Sequence, residues 1–536
     1  MLRDEQNSPG TEARPTAAEQ RARGAGFKAA ACLVAAAALL AATGFFLVTR
    51  LSQPPQNTAP SEEEADDPRL GRPLFQGWTK PDLALVLSAQ QHGYLLPCGC
   101  SRPQIGGLER RYNFLQTLKE RGWPVVAVDL GDIPQRQGPR RLPNLQGLLK
   151  YEYSMRALRE MGYTAVTVGE HELAMPLDRA LGQYALNNPE PRVIVDNLAN
   201  AEENFPGTGR WRLTQPPGSP LKVAVAGVVG PTVQERAQDP AVHFLDNRKV
   251  LADLLKEMDK QKPDLRVLLY QGLPREAYEC ARHFPQFNVI LCLSEYEEPS
   301  GNPQKVGPTL VVSVGHKGKY VGVVGAWRTG RPDQPLDLRY QLVPMSERYL
   351  TPENKADSHP IVALMEQYTE ELKRDGYLKK YGQTRHPVQV AHPQATYVGS
   401  EKCKKCHEYA YTVWKDSAHS HAYDTLVSAR RPSLRQYDAE CVVCHVIGFA
   451  TQGGFTSAEA TPHLKHVGCE SCHGPASLHV ADPNNEALRV ALNPWKAQPG
   501  ESEAKRLSRV EQSCVQCHDP DNDVHWDFKK WEKIAH

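Results

Sequence analysis

The chain has 536 residues, with 63 Lys and Arg against 62 Asp and Glu for a net charge of +1. That balance leaves no global case for nucleic-acid binding. Hydrophobic residues make up 40% of the total, an ordinary share for folded protein, and the length has room for about two to four domains.

Residues 1–28 form a basic segment with Arg21, Arg23 and Lys28 at its end, and residues 29–49 follow without a charge. At about 1.5 Å per residue, such a run crosses a hydrocarbon core of about 30 Å. The preceding cations hold the amino terminus inside and send the rest across. The Ala-rich composition also offers small-residue cleavage sites, but the run exceeds the usual signal core of about 7–15 residues. An uncleaved single-pass anchor is expected, in a bacterial inner membrane with the bulk of the chain in the periplasm. Residues 50–78 carry Pro54-Pro55, Glu62-Glu63-Glu64 and Asp66-Asp67, a composition that reads as a solvated, flexible tether.

From 79 to 350 the pattern is layered α/β. Apolar runs predict strands at Leu83–Ser88, Val125–Leu130, Ala165–Val168, Val193–Val195, Val223–Val229, Leu265–Tyr270, Val289–Leu293, Leu310–Val314 and Val321–Ala326. Helical periodicity fills 107–121, 144–161 and 247–261. The last two runs have no helix between them, so one sheet is expected to end in antiparallel strands. Residues 351–394 predict an amphipathic helix over 359–381, with Ile361, Leu364, Met365 and Tyr368 on one face, and a short linker.

The last region, 395–536, holds four copies of one pattern: Cys403-Lys-Lys-Cys406-His407, Cys441-Val-Val-Cys444-His445, Cys469-Glu-Ser-Cys472-His473 and Cys514-Val-Gln-Cys517-His518. Two thiols at this spacing form thioethers to the vinyl groups of one porphyrin, and the adjacent His supplies the proximal iron ligand. A pair of zinc ribbons is the competing reading, but zinc does not require His after every second Cys. Four covalent c-type haems are therefore expected, absorbing eight of the thirteen cysteines. None of the seven Met lies in this region, so axial His ligation is expected. The non-motif histidines are His419, His421, His463, His466, His479, His525 and His536.

Tyr397-Val-Gly-Ser-Glu-Lys-Cys403, Trp414-Lys-Asp-Ser-Ala-His419, Val467-Gly-Cys-Glu-Ser-Cys-His-Gly-Pro475 with His479, and the closing Trp531-Glu-Lys-Ile-Ala-His536 resemble the tetrahaem cytochrome c-554 / c-prime family. The resemblance implies a mostly α-helical domain that passes electrons between close haems. It implies His419, His479 and His536 as distal ligands, with His466 a further candidate, and it implies that one iron is often left five-coordinate.

The α/β region resembles the metallophosphoesterase domain of the 5′-nucleotidase / UDP-sugar hydrolase family. The residues that carry this are Gly106-Gly107-Leu108, Val128-Asp-Leu-Gly-Asp132, Gly162 to Glu172 ending in Gly169-Glu170-His171-Glu172, and Gly318-Lys-Tyr-Val-Gly322. That family uses two metal ions and a bridging water. Matched position by position, the first Asp is Gln90, while His92 and Asp132 remain. The family Asn is Glu170, and His171 is kept. A later His falls at or near Gln271, and the closing imidazoles fall near Leu293-Ser294-Glu295-Tyr296. Amides cannot replace anionic and imidazole donors around two divalent ions, so ordinary nucleotidase activity is not expected.

Cys98 and Cys100 stand in the first strand-to-helix loop, where open α/β sheets place ligands. Two readings stand. They form a single additional metal site or a redox dithiol with His92, Asp132, Glu170 and His171, or they are ordinary loop cysteines or a strained disulfide. Cys280 and Cys292 read as core residues.

The expected function is electron transfer by a membrane-anchored periplasmic cytochrome, more an electron carrier than a hydrolase. Expected partners are the membrane and a redox partner protein or a membrane quinol-linked donor, with no nucleic acid. The alternatives are an oxidoreductase acting on a small nitrogen compound at an open haem iron, and a residual metal-dependent phosphohydrolase.

Overall fold

The computed structural model describes residues 74–97, 102–185, 190–199, 205–237 and 239–531. The expected anchor at 29–49 lies outside them, and so do Cys98, Cys100 and His536. Among the described residues no helix is long and apolar enough to cross a membrane.

Two six-stranded sheets build the α/β region. Across the first, the strands run Leu336–Pro344, Tyr320–Arg328, Leu83–Ser88, Val125–Asp129, Tyr163–Val166 and Arg192–Val193. Across the second they run Gln304–Val306, Thr309–Val312, Val289–Cys292, Leu265–Gln271, Val223–Val229 and Trp211–Thr214. Leu83–Ser88, Val125–Asp129 and Tyr163–Val166 pair in parallel, as do Val289–Cys292, Leu265–Gln271 and Val223–Val229, and their apolar runs suit strands covered on both faces.

Alternation along the second sheet shows how the layers stack. Val223, Val225, Val267 and Leu269 join one core with the strands of the first sheet. Ala224, Ala226, Leu268 and Tyr270, one residue out of step, pack with Leu251, Leu254 and Met258 of the helix Asn247–Gln261 and with Ala277 and Ala281 of the helix Pro274–His283. The two sheets therefore share a core, and helices cover the outside. Cys280 and Cys292 lie in the second of these clusters as free thiols, pushed up to about 12 by burial.

Two expectations change. Leu310–Val314 and Val321–Ala326 were expected to end one sheet together. Instead Thr309–Val312 pairs in the second sheet, while Tyr320–Arg328 crosses to lie antiparallel to Leu83–Ser88 in the first. The end of the expected tether also belongs to the core: Phe75 is buried, and Trp78 packs edge-on against Trp327 and stacks on Trp123.

The helix Pro360–Arg374 packs on Gly147–Met161, with Tyr153 edge-on to Tyr368 and donating to Glu371 Oε2 at 2.8 Å. The C-terminal region consists of short helices, among them Ala439–His445, Cys469–His473 and Glu503–Cys514. Its main apolar cluster gathers Tyr397, Tyr423, Val442, Ile447 and Phe449, and it also takes Leu142 from the α/β region.

Candidate haem-binding region and the α/β cleft

The four attachment segments come together. The Cys403 thiol lies beside that of Cys469, and the Cys517 thiol beside that of Cys444, while Cys472 lies in the fields of Cys514 and Cys517. The segments therefore adjoin in the order first, third, fourth, second.

Three of the adjacent histidines are oriented through Nδ1. His445 Nδ1 donates to Ala422 O at 2.6 Å, His473 Nδ1 to Leu492 O at 2.6 Å, and His518 Nδ1 to Asp523 Oδ2 at 2.8 Å. A carbonyl or carboxylate only accepts, so the proton sits on Nδ1 and Nε2 keeps its lone pair. This is the usual way a protein orients a metal-ligating imidazole.

Two of the expected distal histidines face a motif histidine. The rings of His407 and His479 have centroids 6.2 Å apart, and those of His419 and His518 are 5.9 Å apart. Two imidazoles sharing one metal, each bonded at ~2.0–2.1 Å through nitrogen, place their ring centres roughly 6 Å apart. Both His419 and His479 are held below the ordinary imidazole range, first by desolvation and then by His518 and His407 respectively, so they are neutral as ligands must be. His466 is engaged otherwise. Its Nδ1 accepts from Tyr423 N at 3.3 Å, which leaves the proton on Nε2. His421 sits 3.9 Å from Asp424, and His525 Nε2 donates to Arg102 O at 2.7 Å. The donor set thus fits c-type haem: thiols not joined in disulfides, oriented imidazoles and facing neutral rings.

In the α/β cleft, Gln90 and Gln271 serve as crosslinks. Gln90 Oε1 accepts from Ser294 N at 2.7 Å and its Nε2 donates to Ser294 O at 3.4 Å. Gln271 Nε2 donates to Leu130 O at 2.6 Å. Glu170 turns to Arg136 at 2.7 Å and Arg236 at 2.8 Å, along the wall of a cavity of about 240 Å³. Asp132 Oδ1 accepts from His171 N at 2.9 Å. Glu172, 1% exposed, accepts from Asp132 N, Ile133 N and Gly169 N. Burial, followed by the charge of Asp132, pushes Glu172 up to about 8.

Gln90, His92 and Asp132 have left-handed φ values of 49°, 52° and 55°, strained backbone of the kind that persists only where surrounding structure enforces it. His92 stacks on His171 at 4.3 Å and lies 5.3 Å from His316. His171 Nδ1 bonds to Pro134 O at 2.8 Å, and among the described residues no group of three ligating side chains is placed to hold a metal ion. His92, Asp132, Glu170 and His171 therefore do not converge by themselves. The buried cation here is Arg111, whose guanidinium lies 3.7 Å from Asp129 and bonds to Gln91.

The sequence reading missed three features. His316 stands just before the Gly318-Lys-Tyr-Val-Gly stretch and donates through Nε2 to Ser294 O at 2.8 Å. Asp521, three residues past His518, bonds Lys319 at 2.9 Å, Lys317 at 2.5 Å and Tyr94 at 2.9 Å, tying the fourth attachment segment to the cleft mouth. The acid-rich Asp519-Pro-Asp-Asn-Asp523 run was the available signal. Glu470, inside the third motif, gave none.

Residues 402–474 match the family model described as cytochrome c554 and c-prime. Cytochrome c-554 of Nitrosomonas europaea is 33% identical over 137 residues, which are 23% of this chain and 58% of that relative. The chain thus spans less than two thirds of the relative's length. Solved structures similar to the α/β region include a sulfate thiohydrolase SoxB from Thermus thermophilus, with TM-score 0.45, 15% identity, and coverage of 56% of this chain and 62% of that one. A 5′-nucleotidase precursor, also from Thermus thermophilus, gives TM-score 0.44 and 18% identity, over 59% and 61% of the two chains. The likeness to cytochrome c-554 is confined to the C-terminal region.

Proposed function

We propose that this protein is a tetrahaem electron carrier, anchored in a bacterial inner membrane and working in the periplasm, with an α/β domain that no longer runs dinuclear metal hydrolysis. The carrying observation is the facing of His479 on His407 and of His419 on His518 at the span of one shared metal. The four haems attach through Cys403/Cys406, Cys441/Cys444, Cys469/Cys472 and Cys514/Cys517, with His407, His445, His473 and His518 proximal. Bound haem supplies a one-electron Fe(III)/Fe(II) couple. The chain's own residues hold the imidazoles neutral and oriented and bring the attachment segments edge to edge. A redox partner protein or a membrane quinol-linked donor supplies the electrons, and nucleic acid plays no part.

Spectroscopy of the exported protein is expected to show predominantly low-spin haem that reduces and reoxidises reversibly. A second reading places small-molecule chemistry, such as binding of a nitrogen compound, on a haem iron left without a distal imidazole. The observation favouring it is that His466, a candidate distal ligand, is engaged through Nδ1 by Tyr423 N. Reaction of CO with about one haem per reduced protein would support an open iron there, and no spectral change would remove it. A protein whose haems are mostly high-spin and CO-reactive would contradict the carrier reading.

The amide crosslinks at Gln90 and Gln271 argue against phosphohydrolysis. With Mn²⁺, Zn²⁺ or Co²⁺ the protein is expected to release no phosphate from nucleotides, and metal-dependent turnover would reverse that conclusion.

A further inference from the structure

The helix Ala439–His445, which carries the second attachment motif, rests on one segment of the α/β region. Gln146 Nε2 donates to Asp438 Oδ1, the helix cap, at 3.0 Å. Gln135 Nε2 donates to Glu440 Oε1 at 2.7 Å, and Lys150 pairs with the same carboxylate. Leu142 enters the cluster beneath the helix. Arg140 Nη1 donates at 2.7 Å to the carbonyl of Val443, a residue between the two cysteines of the motif.

Arg140 is held for this contact by unusual backbone. Its φ is 48° and that of Arg141 is 61°, two successive non-glycine residues in the left-handed region. Strain of this kind persists only where surrounding structure enforces it, and it gathers at functional positions. The guanidinium also lies in the field of Cys472 and Cys517, so a permanent cation from one domain stands among the second, third and fourth attachment segments of the other.

We propose that Arg140 is a positioning residue for the second haem, holding its attachment segment and raising its reduction potential from the α/β domain. The inference rests on the haem reading above. A fixed positive charge disfavours ferric iron relative to ferrous, and Arg stays charged at every accessible pH. The α/β domain thereby acts on the electron carrier without any chemistry in its own cleft.

The test is a potentiometric titration of the full-length haem-loaded protein and its variants. In R140Q at least one haem wave is expected to move to lower potential, with the reduced-to-oxidised ratio at fixed ambient potential falling about tenfold, about 59 mV for a one-electron couple. R140K, which keeps the charge, and R141Q are expected to titrate like the wild type. A superimposable R140Q titration would overturn the proposal, as would an equal shift in R140K. Incomplete haem attachment in both R140Q and R140K would show that the residue serves attachment alone and overturn its role in the potential. A wild-type protein without covalent haem would instead sink the underlying haem reading.

Discussion

Replacing His419 with alanine is expected to turn one low-spin haem into a high-spin, CO-reactive one, and replacing His479 is expected to do the same to a different haem. The imidazole of His419 stands 5.9 Å from that of His518, and His479 stands 6.2 Å from His407. Each gap matches roughly the distance across a shared metal. Removing one ring leaves a five-coordinate iron, so each variant should gain about one CO-binding haem over the wild type, and the double variant about two. His421→Ala is the control, because that ring lies toward Asp424 and faces no motif histidine. Electron paramagnetic resonance and CO titration read both effects. Unchanged spin states in H419A and H479A, or a change in H421A, would show that the pairing is misassigned.

Glu470→Ala is expected to cost roughly 3–5 kcal/mol of stability, the cost of leaving three buried amides without an acceptor. The carboxylate is 3% exposed and accepts from Val398 N at 3.0 Å, Gly399 N at 2.7 Å and Ala476 N at 2.9 Å. These bonds fasten the strand of chain leading into the first attachment motif to the helix that carries the third. Ser400 Oγ adds to the same seam by accepting from Cys469 N at 3.1 Å. Glu470→Gln keeps one acceptor oxygen and should fall between the wild type and E470A. Denaturant unfolding of the haem-loaded protein measures the series. An E470A midpoint indistinguishable from the wild type would mean the clamp is not formed in solution.

How far the sequence could be read depended on how local each feature was. Val223–Val229 and Leu265–Gln271 are unbroken apolar runs because both faces are covered, and their composition alone marks them as strands. Leu336–Pro344 escaped because its burial is mostly partial and its residues mix charge with apolar groups. The division of Thr309–Val312 and Tyr320–Arg328 between two sheets depends on where the connecting loop crosses, which no run of side chains records.

The same division holds at the sites. Thioether attachment needs two thiols and an imidazole within five residues, so the four motifs stand out by themselves. The partners of His407 and His518 lie tens of residues away and are settled by folding. The engagement of His466 by a backbone amide, and the aiming of Arg140 across the domain boundary, depend on tertiary contacts alone. In the cleft, the presence of amides at Gln90 and Gln271 was readable. Their use as crosslinks to Ser294 and Leu130 was not, because it depends on loops 204 and 141 residues away in sequence.

The most direct measurement is the intact mass of the mature protein exported from a host able to attach c-type haem. Four haem masses above the polypeptide are expected, all surviving denaturation and acid–acetone extraction because thioethers are covalent. A polypeptide mass without haem, or one accompanied by zinc lost on denaturation, would contradict the electron-carrier reading and restore the zinc-ribbon one.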